Sequence, residues 1–365
     1  NIYMKSIVWI TAGCFIDVDY DVVPALAKYF NIHWYIWGGM TAGDSKRMKE
    51  IPQTNSLKID YVKLKNKWYS PFAYFEYKKI LKRIIEHGNL LYVDNGGSLC
   101  FYQALYSVCE IDKTVLAIHN VKTPKGARYE RLARYNTLYA VKRFKNIQTF
   151  SRNQHDYLDS LVSGKNVLEA PLMLKDYGKP SEIRTDKTFN FLTFGHIRGY
   201  KRVDLLIKAA QELAHRTDKK FKVTIVGNCK NWGQYQALVT SPELFDIKIG
   251  FVENEDIPNY FNNADFFVLP YQDLAQSGAI TVAFQYNVPV LTSDIIQFKE
   301  FNGDSACGFM FKSCDSHDLS LKMEQVLNMS QKELSRMRKA QKDFVEKEYS
   351  STSIWNKYID YLNQL

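Results

Sequence analysis

Short apolar runs that stop at small or turn-forming residues recur along nearly the whole chain, each followed by a longer amphipathic stretch, and few folds accept that alternation. In the first half the runs are SIVWITA (6–12), IHWYIWG (32–38), LLYVDN (90–95), TVLAIHN (114–120), NIQTFS (146–151) and NVLEAP (166–171), with helical patterns over 72–87 and 128–143. Continuous apolar runs of this length read as strands buried on both faces, and the stretches between them as covering helices. From Leu172 to Lys187 the text changes to LMLKDYGKPSEIRTDK, a connector in composition. A second series follows: FNFLTFG (189–195), a helix over 203–217, FKVTIVG (221–227), a helix near Gln234, IKIGFV (247–252), a helix over 257–263, DFFVLPY (265–271), a helix over 278–286 and PVLTSD (289–294). Two such series predict an α/β chain of two Rossmann-like, doubly wound domains facing across a cleft at their strand carboxyl ends. The boundaries expected are 1–172, a linker over 173–188, 189–343, and a last helical stretch over 344–365 that crosses back to the first domain. A chain of 365 residues also exceeds what one hydrophobic core usually serves.

Charge divides unevenly between the halves. Up to Ala170 there are 24 Lys and Arg against 15 Asp and Glu, and from Pro171 onward 24 against 24, so the net +9 belongs to the first half. The six cysteines form no C-x-x-C pair, which argues against a disulfide framework or a zinc knuckle. They are expected as reduced, mostly buried thiols. The apolar opening 6–16 is followed by Asp17, Asp19 and Asp21 where a signal peptide needs small residues, so it reads as a first buried strand. No run approaches the roughly 18 to 20 apolar residues of a membrane-spanning helix.

Two segments carry candidate chemistry. In TFGHIRGYKRVDLLIKAA a buried strand ends at Gly195, a loop presents Arg198 and Lys201, and a helix begins. Free N–H groups and the helix dipole favour an anion there, and two cations suit a diphosphate, although by composition alone they serve equally as solvated residues. In DFFVLPYQDLAQSGAITVAFQYNVPVLTSD a polar loop leads through Gln276 and Ser277 into a helix whose first N–H groups, at Gly278 and Ala279, could meet a phosphate. An ordinary glycine-started helix reads the same way.

Taken together, F-G-x-I-R-x-Y-K-x-x-D (194–204), I-V-G (225–227), G-F-V (250–252), I-P-x-Y-F-x-x-A-D (257–265), L-P-Y, Q-S-G and P-V-L-T-S-D resemble bacterial members of glycosyltransferase family 4, the group 1 enzymes of GT-B fold. The resemblance is specific over 189–294 and looser to 327; the first half matches in layout only. It implies transfer of a sugar from a UDP- or GDP-type donor to a glycan or lipid-linked acceptor, with retention at the anomeric carbon, in surface polysaccharide assembly. It implies catalytic roles for Arg198, Lys201 and His119, donor contacts at Gly195, Val252, Glu253, Gln276, Ser277, Gly278 and Ala279, and acceptor-side places for Gly13 and Asn120. No cofactor or metal is expected. Asp17-Val18-Asp19 spells D-x-D, but it follows the first strand of the acceptor half.

This sequence departs from the commonest family pattern, which carries two glutamates where Leu274 and Val282 stand. It resembles the subset with Q-S-G instead. Their absence leaves a non-catalytic nucleotide-sugar-binding or scaffold protein open as an alternative, beside a sugar-nucleotide epimerase on the same fold. A NAD-dependent dehydrogenase is disfavoured because no G-x-G-x-x-G follows a strand. Basic aromatic stretches from Trp68 to His87 and from Ala127 to Asn146 suit an anionic membrane surface, or equally solvated helix faces, and no nucleic-acid motif accompanies them. The expected setting is cytoplasmic, peripheral on the inner face of the membrane.

Overall fold

The apolar runs become parallel strands in a computed structural model that describes residues 4–67, 69–123, 129–182, 184–185, 187–274, 277–303 and 305–365. Among the described residues the chain forms two units, one running to Met173 and taking up Ser351–Leu365, the other spanning Leu174–Ser350.

The first unit holds β1 (Ser6–Ala12), β2 (Asn31–Trp37), β3 (Leu57–Val62), β4 (Leu90–Asp94), β5 (Thr114–Ala117), β6 (Asn146–Thr149) and β7 (Asn166–Glu169). They lie in the order β3-β2-β1-β4-β5-β6-β7, all pairs parallel. Successive side chains of a strand point to opposite faces, so Ile7 and Trp9 enter one core while Val8 and Ile10 enter the other. That is why these runs are apolar throughout. β3 is an edge strand, half exposed, with Asp60 and Tyr61 both exposed, so LKIDYV lacks the continuous apolar run of the central strands.

The second unit repeats the plan with β8 (Phe189–Phe194), β9 (Phe221–Gly227), β10 (Phe245–Ile249), β11 (Phe266–Leu269), β12 (Val290–Ser293) and β13 (Gly308–Phe311), in the order β10-β9-β8-β11-β12-β13. All pairs are again parallel. Helices Val203–Ala214 and Gly278–Gln285 follow β8 and β11.

Two boundaries differ from expectation. The expected linker divides after Met173, which packs in the first unit's core; beyond it Leu174 and Tyr177 pack on the second unit's core, and Arg184 forks onto Asp265 at 3.0 and 2.7 Å. Ile183 and Asp186 lie outside the described residues. The last stretch is two helices, Gln331–Tyr349 and Ser351–Gln364, parted by Ser350 in extended conformation. Phe344 and Tyr349 pack in the second unit, and only the helix from Ser351 joins the first. It seats Ile354, Tyr358, Tyr361 and Leu362 in the core that contains Trp9 and Trp34.

Candidate functional site

In a doubly wound sheet the ligand crevice opens where strand order reverses, because the loops on either side diverge. In the second sheet that point lies between β8 and β11, so the loops carrying Arg198, Lys201 and the Ser277–Ala279 turn flank it. The strand ends there are close-set. Gly195 N–H donates to Val226 O at 2.9 Å, and Gly250 N–H to Gly227 O at 3.2 Å. A Cβ on Gly227, at φ +140°, would sit 2.0 Å from Gly195 O, so the two turns touch through backbone alone. Val252 and Glu253 follow Gly250 on the same rim; Val252 packs on the core and Glu253 is exposed.

Arg198 is exposed and Lys201 half-buried, and neither forms an ion pair with a described residue. Lys201 Nζ lies against the Gly195 backbone, 3.4 Å from where a Cβ would be, and 5.1 Å from the centre of the Tyr271 ring. Burial, then the charge of Arg198, pulls the Lys201 ammonium below the ordinary lysine range. Burial and the charges of Arg198, Lys201 and Lys230 likewise lower His196. Like charges this close repel, and binding of an anion would offset that repulsion. Arg202, by contrast, is spent on Asp204, with bonds of 3.0 and 2.9 Å.

The two sequence segments meet at Tyr271. Gln272 N–H donates to Tyr200 O at 2.8 Å, and the Tyr200 and Tyr271 rings pack edge-on at 6.0 Å. Beyond that loop, Ser277 Oγ accepts from Ile280 N–H at 3.3 Å and caps the Gly278–Gln285 helix. Ser277 is buried in that role. The N–H groups of Gly278 and Ala279 have no acceptor among the described residues, as the first turn of a helix leaves them. Lys175 Nζ approaches to 3.5 Å from a Cβ position on Gly278, a cation from the expected linker that no local sequence pattern places here. Gln276 lies outside the described residues.

In the first unit the order reverses between β1 and β4. Gly13 follows β1 and is buried, with Gly39 O 2.2 Å from where its Cβ would be. β5 ends at Ala117, so His119 and Asn120 sit in the loop beyond it and line a cavity of about 210 Å³ with Gly96 and Gly97. His119 is held on three sides. Its ring stacks on Phe15 at 4.0 Å and on Phe150 at 4.3 Å, and Nε2 lies 2.7 Å from Asp94 Oδ1. A buried carboxylate at Nε2 selects the tautomer that donates there. Asp94 has no local signal of a role: it ends β4 as one more strand-end acid, and only the fold puts it beside His119.

Asp19 of the D-x-D is wholly buried. Trp9 Nε1 and Thr11 Oγ1 donate to its Oδ2 at 2.9 and 2.5 Å, and Trp34 Nε1 donates to Thr11 at 2.8 Å. Burial, then the charge of Asp94, pushes its carboxyl well above the usual range. It therefore belongs to the core of the first unit. Among the described residues no three His, Cys, Asp or Glu side chains gather as metal ligands. The six cysteines are free, but the expectation that most are buried fails: Cys307 is buried, while Cys14 and Cys314 are exposed. Among the described residues no helix is long and apolar enough to cross a membrane.

Two Rossmann-like parallel-sheet units in tandem, the second with cations and free N–H groups at its switch point, define a chain of GT-B architecture. Residues 178–344 match the family model for glycosyl transferases group 1. Among solved structures, a glycosyltransferase from Rickettsia africae ESF-5 superimposes with a TM-score of 0.74 at 12% identity, covering 99% of this chain and 98% of that one. HepE from Anabaena, in complex with UDP, gives 0.74 at 12%, covering 99% and 100%. Sucrose-phosphate synthase from Thermosynechococcus elongatus gives 0.70 at 12%, covering 99% and 98%. At these identities the likeness is one of fold. Among curated proteins none matches the chain.

Proposed function

We propose that this protein is a glycosyltransferase that takes a sugar from a nucleoside-diphosphate donor, with the diphosphate held at the switch point of the second sheet. The observation that carries the reading is Lys201, set against the Gly195 strand end and within reach of the charge of Arg198, neither cation having an ion-pair partner among the described residues. The group 1 match over the same unit supports it, as do the UDP and UDP-glucose complexes of HepE, a protein of like fold. UDP is the base-diphosphate we assign first. As the anomeric bond to phosphate breaks, positive charge grows on the sugar and negative charge on the diphosphate. Arg198, Lys201 and the N–H groups of Gly278 and Ala279 stabilise that leaving group, and the scheme calls on no divalent ion and no protein nucleophile. Retention follows if the departing phosphate takes the acceptor's proton on the same face. His119, oriented by Asp94 and the two phenylalanines, faces the sugar in this reading, with Gly13 and Asn120 on the acceptor side. Ser277 caps the donor turn, Gln276 is assigned to the donor from the Q-S-G motif alone, and Val252 and Glu253 lie where a base would be met through backbone groups. The acceptor is a glycan or lipid-linked glycan of surface polysaccharide assembly, worked on at the inner face of the membrane.

A panel of nucleotide sugars, read by thermal stabilisation and then by release of the nucleoside diphosphate, tests this. One donor is expected to stabilise the protein and to turn over. Arg198→Ala or Lys201→Ala is expected to lower turnover by about 100- to 1,000-fold, or about 3 to 4 kcal/mol. Binding without turnover by any donor would favour the scaffold alternative.

A further inference from the structure

Away from the histidine pocket, a groove of about 800 Å³ opens at the edge of the first sheet, between β3 and the Ala73–Ile85 helix. Register sets its floor. Tyr35 pairs with Asp60 and Trp37 with Val62, so these four share the face that the helix covers. The helix buries Ala73, Tyr77, Leu81 and Ile84 against that face and leaves Phe72, Phe75, Lys79 and Arg83 along the groove, three and four residues apart.

Two properties of the groove are unusual together. Its aromatic side chains are left in water: Phe72 is 69% exposed, Phe75 67% and Tyr61 54%. Its carboxylates, in contrast, are already engaged. Glu76 accepts from the N–H groups of Lys65 and Asn66 at 2.7 and 2.9 Å and from the Asn66 amide at 2.8 Å, and Asp60 lies 2.6 Å from His33 Nε2. Lys79 and Arg83 form no ion pair with a described residue. Positive charge without a partner thus stands beside apolar surface without a cover. A soluble anion would answer the first and leave the second, and a neutral apolar molecule the reverse.

We propose that this groove binds a single-chain amphiphile with a phosphate head, the head on Lys79 and Arg83 and the tail along Phe72, Phe75 and Tyr61. The site belongs to the first unit and is independent of the donor reading. Octyl phosphate, used below its micellar concentration and titrated calorimetrically into the full chain, is the probe; inorganic phosphate and octyl glucoside separate head from tail. Octyl phosphate is expected to bind at least about tenfold more tightly than either. The double variants Phe72→Ser with Phe75→Ser, and Lys79→Glu with Arg83→Glu, are each expected to weaken it by about tenfold, with melting curves and UDP binding unchanged. Equal binding of octyl phosphate and inorganic phosphate overturns the proposal. So does pelleting with anionic phospholipid vesicles that survives the phenylalanine variant, since the helix would then meet a bilayer by surface charge alone. Loss of UDP binding in the wild type would fault the donor site and leave the groove untouched.

Discussion

In the proposed reading, Lys201 is the residue on which most of the donor chemistry turns. It is held where water is scarce, beside Arg198 and over the Tyr271 ring, and its ammonium loses protons more easily than an ordinary lysine's. A bound diphosphate reverses that by stabilising the charged form, so binding takes up a proton as the pH nears the depressed value. Affinity for UDP is expected to be greatest below the pKa of the free protein's Lys201 and to fall as pH rises through it, starting below the usual lysine range. Titration calorimetry between about pH 7 and pH 10 would read the fall, and Lys201→Arg, which keeps its charge throughout, should abolish it. A flat wild-type profile would remove Lys201 from the phosphate site. Residue types and spacing pointed to Arg198 and Lys201 as candidates, equally readable as solvated residues, and His119 was singled out through the family resemblance. Asp94, Tyr271 and Lys175 were not legible, because each acquires its meaning from a neighbour brought in by another strand or loop.

At the scale of elements, the strand ends of β8 and β9 are set by backbone contact. Gly227 has no room for a side chain: its Cβ would lie 2.0 Å from Gly195 O, in a conformation L-residues avoid. Gly227→Ala is expected to destabilise the second unit by about 3 kcal/mol or more and to weaken UDP binding, because relief of the clash must displace the Gly195 turn. Urea unfolding with a parallel UDP titration would check both, and a stable variant of normal affinity would show that the turns need not touch. The strand series was legible wherever both faces of a strand are buried, since such strands are apolar at every position. β3 and β13 were not. The first is half exposed at the sheet edge, and the second offers only GFMF, too short to show a period.

Across the whole molecule, the chain crosses between its units twice, after Met173 and after Ser350. The second crossing is structural. Ser351–Gln364 places four large side chains in the first unit's core, Gln148 Nε2 donates to Tyr358 OH at 2.6 Å, and Lys5 Nζ reaches the carbonyl of Asn363 at 2.7 Å. Each buried side chain of that size contributes about 1.5 to 3 kcal/mol, which together rivals the whole stability of a typical domain. A chain ending at Ser350 is therefore expected to lose the cooperative unfolding of the first unit and keep that of the second. Differential scanning calorimetry of the two chains would show one transition vanish, and two intact transitions would contradict the assigned role of the final helix.

By itself the sequence determined the α/β class, the tandem arrangement of two doubly wound sheets, and the loops that carry cations and free amides at the second sheet's switch point. Those properties are written in local patterns, because burial on two faces dictates composition and because helix starts and strand-end glycines have short-range signatures. Tertiary structure alone decided that Asp94 orients His119, that Asp19 is a core residue, that the final helix begins at Ser351, and that aromatic and basic side chains line one open groove. Each of these is a relation between residues far apart in the chain, and only packing brings such residues within reach of one another.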